Sequence, residues 1–542
     1  MHSRLQLTGP FINFLAQIIN YEKSTSSTQL AGVVRTRRLR QRDVLSTTIL
    51  SSTPRLHLEP SVSMAVSPSS PNVIGVSNPR TGRSDYELSL PDIAEIDAEC
   101  ARLRNNQAAW CAGGLDERIA TLKRFAILLG VHRDAILEAL AVDTGRWVLT
   151  EMELDGLTGY IGARCSHAAA VLDEPAGGNV QKVSFRQQYV PYSLLAAISP
   201  WNYPLILSFL DAVPALLAGC SVAIKPSELT PRFIVPVQAA LGDVPELDAV
   251  VSILGGDGNT GQALIERSDA VVFTGSVATG RKVAEVAAQA FIPAMLELGG
   301  KDPAIVLESA DLEAAAHAIM RGSIVNCGQA CFATERIYVE YAVYDAFVEK
   351  LCSLAGEIEI NYPDIRQGHI GPFIFSRQAE IVQNQLKDAI EKGAKVMTGG
   401  TIENHEGGQW LRPTIIVNVD HGMQIMREET FGPVLPVMRV GSVDEAVSLA
   451  NDTSYGLSAA VFGAEQDAEA VAARVDAGGI FINDIDLVGE VGLDAEKNAF
   501  KYSGLGGSRY GPNGILRFVR KKAIVHRHDK PDEISSLAGI NA

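Results

Sequence analysis

Three things are scarce in this chain of 542 residues: cysteine, positive charge and uninterrupted apolar sequence. The 7 cysteines are odd in number and scattered (Cys100, Cys111, Cys165, Cys220, Cys327, Cys331 and Cys352). They do not make a disulfide framework, and their sparseness suits a reducing compartment. Cys327 and Cys331 stand close together, but no second Cys/His pair lies near them to complete a zinc site, so no metal is expected. Lys plus Arg number 47 against 63 acidic residues, a formal net charge of -16. Phosphate-backbone binding needs clustered cations, so a nucleic-acid partner is not expected. The longest apolar region, residues 194–224, is interrupted by Pro200, Pro204, Asp211 and Pro214. That excludes it as a simple membrane span and suits a buried strand, turn and helix.

The remaining composition is that of a soluble globular protein, with 46% hydrophobic and 20% charged residues. The length exceeds one ordinary core and implies two or three domains. Residues 1–70 stand apart. Ser and Thr are common there, Arg35, Arg37, Arg38, Arg40 and Arg42 cluster, and the acids are Glu22, Asp43 and Glu59. Such composition describes an unordered leader or an organelle transit segment. A chain that starts at Met64 is therefore expected to fold and turn over. The location is cytoplasmic, or mitochondrial if the segment is a transit peptide.

Beyond the leader, periodicity alternates between helix and strand. Residues 115–143 carry a helical apolar rhythm (Ile119, Leu122, Phe125, Leu128, Leu129), and residues 183–190 have strand composition. Short apolar strands follow at Leu195–Ser199, Ser221–Lys225, Val250–Leu254 and Ala270–Thr274. A second series runs from Pro303–Leu307 through Ala459–Phe462 and Gly479–Asn483, with a late strand at Ile515–Val525. Strands separated by helices predict parallel sheets covered on both faces, in two α/β domains.

Five short stretches carry chemistry. In Gly328-Gln329-Ala330-Cys331 a small-residue turn holds a thiol within a helix-forming stretch, and a helix N-terminus would lower its pKa toward the nucleophilic thiolate. The plainer alternative is an inert buried cysteine. Glu297, between two leucines and before Gly299-Gly300, sits where an apolar setting favours a proton-moving carboxyl, unless it is a solvated strand end. Asn202, between Pro200 and Pro204, is either a rigid oxyanion donor or an Asx turn. Lys225 and Glu228 close a buried strand, where ligands of open parallel sheets bind, and suit sugar hydroxyls. Gly275 and Ser276, followed by Gly280, mark a helix start fit for phosphate, although neither this stretch nor Gly255–Gly258 is the GxGxxG fingerprint.

The order and spacing of these stretches resemble the aldehyde dehydrogenase superfamily from about residue 78 to residue 525. Ser199–Asn202, Ala218–Glu228, Phe273–Ser276, Leu296–Gly300, Gly328–Cys331, Glu428–Pro433 and Asn451–Gly456 carry the resemblance. It implies an NAD-dependent, non-acylating enzyme that turns a small-molecule aldehyde into a carboxylic acid, with NAD favoured over NADP. Cys331 would be the nucleophile, passing through thiohemiacetal and thioester. Glu297 would be the base that activates water, and Asn202 an oxyanion donor. Lys225 and Glu228 would hold the adenosine ribose, Gly275 and Ser276 the pyrophosphate, Glu429 the nicotinamide ribose, and Phe431 would back the ring. Tyr203, Leu207, Leu210, Phe332 and Phe500 would line the substrate pocket and suit a medium-sized aliphatic or aromatic aldehyde.

The implied fold has a Rossmann-like NAD-binding domain (71–174 and 193–296), an α/β catalytic domain (297–502) and a small β oligomerisation element with the tail (175–192 and 503–530). A homodimer or homotetramer follows by analogy. Many members end in Pro-Phe-Gly-Gly-x-Lys-x-Ser-Gly, but here the stretch is Lys497-Asn498-Ala499-Phe500-Lys501-Tyr502-Ser503-Gly504, without the Gly-Gly pair. That departure bears on the substrate mouth. Two other functions remain open: a dehydrogenase that hands the thioester to coenzyme A, and a non-catalytic binding protein on the same fold.

Overall fold

The computed structural model describes residues 73–173, 177–485 and 487–537. The leader, Met64 and Pro175 fall outside them. A hairpin (Val73–Asn78 and Arg83–Ser89) is followed by four helices, Ile93–Ala112, Gly114–Val131, Arg133–Thr144 and Val148–Leu172. The expected single helical stretch over 115–143 is thus two helices. His132 breaks it, leaving helical dihedrals at φ -90° and ψ 13°. Its ring meets Asp243 at 3.1 Å, a distant partner that local periodicity does not reveal.

The first sheet has six strands in the order Gly504–Leu505, Ala294–Glu297, Ala270–Thr274, Leu194–Ile198, Ser221–Lys225 and Val251–Ile253. The last five run parallel, and Gly504–Leu505 pairs antiparallel to Ala294–Glu297. Side chains alternate across a strand, so a sheet covered on both faces needs apolar residues at every position. Leu195, Ala197, Val222 and Ile224 pack into one core, while Leu194, Ala196, Ile198 and Ala223 pack into another on the opposite face.

The second sheet has seven strands in the order Lys395–Val396, Thr414–Val417, Val434–Val440, Thr334–Glu340, Asp302–Val306, Ser458–Phe462 and Gly479–Ile482. Only the two-residue edge strand is antiparallel. Its two faces bury separate cores by the same alternation. Both sheets are thus mixed α/β layers, as expected for two α/β units.

A third, antiparallel sheet joins Val519–Arg527, Val183–Pro191 and Gly178–Val180. The expected late strand over Ile515–Val525 starts later, at Val519. Residues Pro512–Phe518 form a 3-10 helix because Ile515 and Phe518 are needed in the first core, where both are buried. Among the described residues no helix is long and apolar enough to cross a membrane.

Candidate active site

Parallel strands deliver their C-terminal ends to one side of a sheet, and ligands of such sheets sit there. Asn202 follows the strand Leu194–Ile198, and Glu297 ends the strand Ala294–Glu297. Cys331 lies in the turn before the second-sheet strand Thr334–Glu340. All three line one cavity of about 130 Å³ between the two sheets. Tyr203, Leu207, Leu210 and Phe332 line it with them.

The nucleophile candidate is not at a helix N-terminus, which corrects the expectation from sequence. The preceding helix ends at Ile324, a short 3-10 turn covers Val325–Gly328, and the chain leaves into a strand. The helix-forming composition is overridden by geometry. Asn326 and Cys327 take φ of 54° and 58°, and Gly328 takes 69°. A Cβ on Gly328 would lie 2.3 Å from the backbone of Gly432, so glycine is required there for both reasons. Gln329 clamps the turn, donating to Asn326 O at 2.9 Å and accepting from Ile374 N at 2.9 Å. With no helix dipole to help, burial pushes the Cys331 thiol up to about 12, and Asp302 and Glu429 push the same way. Lys497 and Arg509 oppose them.

Asn202 is buried and fixed from two sides. Its amide donates to Gln329 O at 3.0 Å, and its backbone carbonyl accepts from Asn326 at 3.0 Å. The amide carries two hydrogens, so one remains for a ligand oxygen. Glu297 is held by its backbone, which accepts from Gly275 N at 3.1 Å and pairs with Gly504. The Gly-Gly turn after it is dictated by close approaches. A Cβ on Gly299 would sit 2.4 Å from the Glu429 carboxylate, and one on Gly300 would sit 2.4 Å from the Cys331 carbonyl.

Lys301 is fully buried, and its Nζ meets Glu335 at 2.8 Å and Thr430 Oγ1 at 2.8 Å. Glu335 in turn accepts from the Thr430 and Phe431 backbones at 2.8 and 2.7 Å. This buried pair fixes the Thr430–Phe431 backbone.

Glu429 accepts from Gly300 N at 3.0 Å, and burial, with Glu335 nearby, raises its carboxyl to about 8. A carboxyl raised in the fold takes up protons that the unfolded chain has lost. Its stabilising contribution is complete below the unfolded value and fades as pH climbs toward 8. Glu429→Gln is therefore expected to raise Tm more at alkaline than at acidic pH, read by calorimetry on both sides of that window. An equal shift at both would place the carboxyl in water.

A second cleft, of about 560 Å³, adjoins the first and shares Thr274 with it. Lys225, Glu228, Gly275 and Ser276 line it, as does Trp201. Lys225 is nearly buried, and its Nζ pairs with Glu228 at 3.1 Å. Ser276 caps the helix Val277–Ala290, and its hydroxyl accepts from Thr279 N at 3.3 Å, so the free N–H groups of the first turn face the cleft. An extended groove with a helix N-terminus and a cation–anion pair fits a dinucleotide. Glu429 and Phe431 line neither cavity. Phe431 instead stands edge-on to Trp201 with ring centres 5.4 Å apart.

Known proteins match this architecture. The model of the Aldehyde dehydrogenase family matches residues 66–524. The chain belongs to that family. It is an aldehyde dehydrogenase oxidoreductase by this membership. A protein of Mycolicibacterium smegmatis named as a succinate-semialdehyde dehydrogenase using NADP+ is 34% identical, over 82% of this chain and 87% of its own. The 4,4'-diapolycopene aldehyde oxidase of a Methylomonas species is 37% identical, over 82% and 84%. Among solved structures, one named aldehyde dehydrogenase PutA from Anabaena variabilis is 47% identical with a TM-score of 0.83, covering 85% of this chain and 99% of that one. Betaine aldehyde dehydrogenase from Staphylococcus aureus, solved with NAD+, is 27% identical with a TM-score of 0.79, covering 86% and 93%.

Sequence reading missed several residues of this family member's cavity. Arg509 lines it and is fully buried in an ion pair with Asp211 at 2.6 Å, to which Arg517 also bonds. The partners are too far apart in sequence for any local signal. Arg164 donates to Tyr160 Oη, Gly511 O and Arg509 O, each at 3.0 Å, and so ties a helix to the C-terminal loop. Phe500, expected in the pocket, does not line it. It lies in a two-residue strand against Gly456 and is 41% exposed. Lys497, from the same stretch, lines the cavity.

Proposed function

We propose that the chain oxidises an aldehyde to a carboxylic acid through a covalent intermediate on Cys331, with NAD as hydride acceptor. The convergence of Cys331, Glu297 and Asn202 on one cavity carries this reading. The Cys331 sulfur adds to the carbonyl carbon, and the oxygen that gains charge is met by the free hydrogen of the Asn202 amide and the Cys331 N–H. Lys225, Glu228, Gly275 and Ser276 would hold the dinucleotide, with Glu429 for its nicotinamide ribose and Phe431 for the ring, and it would supply the hydride acceptor. Glu297 then takes a proton from the water that splits the thioester, releasing acid and thiol. Loss of two electrons from the aldehyde and gain of one water oxygen balance the acid formed. A turnover assay with NAD and an aldehyde panel separates this from acyl-coenzyme A formation and from a protein with no product at all.

The lining around the cavity is mostly apolar, with Tyr160, Ile206, Leu207, Leu210 and Phe332 prominent. It suits a medium-sized aliphatic or aromatic aldehyde. A carboxylate-bearing semialdehyde is the second reading, favoured by the names of relatives and by Lys497 in the lining. The ratio of kcat/KM across the panel decides between them.

For the cofactor, Glu228 supports NAD. Its carboxylate is 37% exposed in the cleft and can accept from both ribose hydroxyls, while a 2′-phosphate beside it would be repelled. Glu228→Ser is expected to cut the NAD-over-NADP preference by roughly tenfold, the effect of about 1.4 kcal/mol. Wild-type protein that uses NADP as well as NAD would show that Glu228 faces elsewhere, in line with the NADP-named relatives. The free edge strand Val519–Arg527 is where we propose that a second copy adds in a homodimer or homotetramer.

A further inference from the structure

We propose that Lys497 is the cation that sustains the reactive form of Cys331, a positioning residue that acts on the nucleophile through space. This rests on the reading of Cys331 as nucleophile, and three observations place the ammonium.

Lys497 lines the cavity together with Cys331 and Glu297. Its backbone is pinned by Ser508, which accepts from Lys497 N at 3.2 Å and donates to Lys497 O at 2.7 Å. Its Nζ lies 5.1 Å from the ring centre of Tyr510. Ser508 also accepts from Tyr510 N at 3.0 Å, so one hydroxyl holds both the lysine and the ring beneath it.

The stem passes over a residue without a side chain. A Cβ on Gly479 would lie 2.8 Å from Lys497 Cδ and 3.5 Å from Nζ. Gly479 pairs in register with Ser458, whose hydroxyl and backbone N–H both bond the buried Asp302 carboxylate. Asp302 and the Cys331 carbonyl both crowd Gly300, where a Cβ would sit 2.7 Å from the one and 2.4 Å from the other. Lys497 and Asp302 are thus linked through the Ser458–Gly479 pair, and Asp302 and Cys331 meet at Gly300.

The surrounding charges leave a task for a cation. Asp302, Glu429 and Glu297 are the acids around the thiol, and Lys497 and Arg509 are the bases. Arg509 already answers Asp211 at 2.6 Å. Lys497 forms no ion pair among the described residues. A free ammonium in a cavity of low polarity lowers the energy of a nearby thiolate far more than one in water does. Lys497 moves no proton. It changes how often the sulfur is charged.

The test is the alkylation rate of Cys331 by iodoacetamide across a pH series, on the full chain, with the modified peptide identified by mass spectrometry. Lys497→Met is expected to slow alkylation about tenfold at a given pH below the midpoint, a shift of about one pH unit. Lys497→Arg keeps the charge and should restore most of the rate. Gly479→Ala should move the profile the same way as Lys497→Met, because its methyl displaces the lysine stem. With an uncharged aldehyde, kcat should fall and KM should change little. An unchanged alkylation profile in Lys497→Met overturns the proposal. So does a KM rise confined to carboxylate-bearing aldehydes, which would make Lys497 a substrate anchor. If Cys331→Ala kept its turnover, the nucleophile assignment would fall, while the alkylation profile would still report whether Lys497 acts on that sulfur.

Discussion

Cys331→Ala will lose NADH production by on the order of 10⁴-fold or more while still binding NAD. Removing the atom that bonds to substrate removes the whole covalent route, and such losses are among the largest that one substitution causes. Cofactor binding should survive because the cleft lined by Lys225, Glu228 and Ser276 does not include Cys331. The contrast with Cys327 makes the experiment decisive. Cys327 is fully buried and does not line the cavity, whereas Cys331 does. Cys327→Ala should keep most activity. A dead Cys327→Ala beside an active Cys331→Ala would reverse the assignment.

Glu297→Gln should slow hydrolysis of the thioester by about 10²-fold or more, the usual worth of a positioned base, and slow hydride transfer less. The substitution keeps the shape and the backbone pairing with Gly504, so the strand end stays in place. Stopped-flow traces should show a burst of NADH near one equivalent per site, followed by a slow steady rate. Quenched protein should carry the acyl mass on the Cys331 peptide. Wild-type deacylation in the variant would remove Glu297 from this role and turn attention to Glu429, whose carboxyl is raised to about 8 by burial.

Part of this was legible one residue at a time. Short apolar runs such as Leu194–Ile198, set between helical segments, read as strands buried on both faces, and that alternation is what predicted the parallel sheets. Ser276 before Val277 marks a capped helix start because a hydroxyl satisfies an orphan N–H locally. Asn202, Glu297 and Cys331 stood out because each sits in a short segment where prolines fix the backbone or glycines allow a tight turn. The family resemblance carried their roles.

Other features depend on contacts between residues far apart. His132 ends a helix at a partner over a hundred residues away, and Ile515 gives up a strand for a place in the first core. Cys331 misses the helix N-terminus because Asn326, Cys327 and Gly328 are forced into left-handed turns against Gly432. Sequence by itself determined most of the strands and helices but not their ends, because alternation and capping act over a few residues. It also marked three candidate site residues, which the structure brings to one cavity. Tertiary structure alone decided the electrostatics of the site. The charge around Cys331 is the sum of Asp302, Glu429, Lys497 and Arg509, brought from four separate segments, and Coulomb forces depend on distance in space, not on distance along the chain.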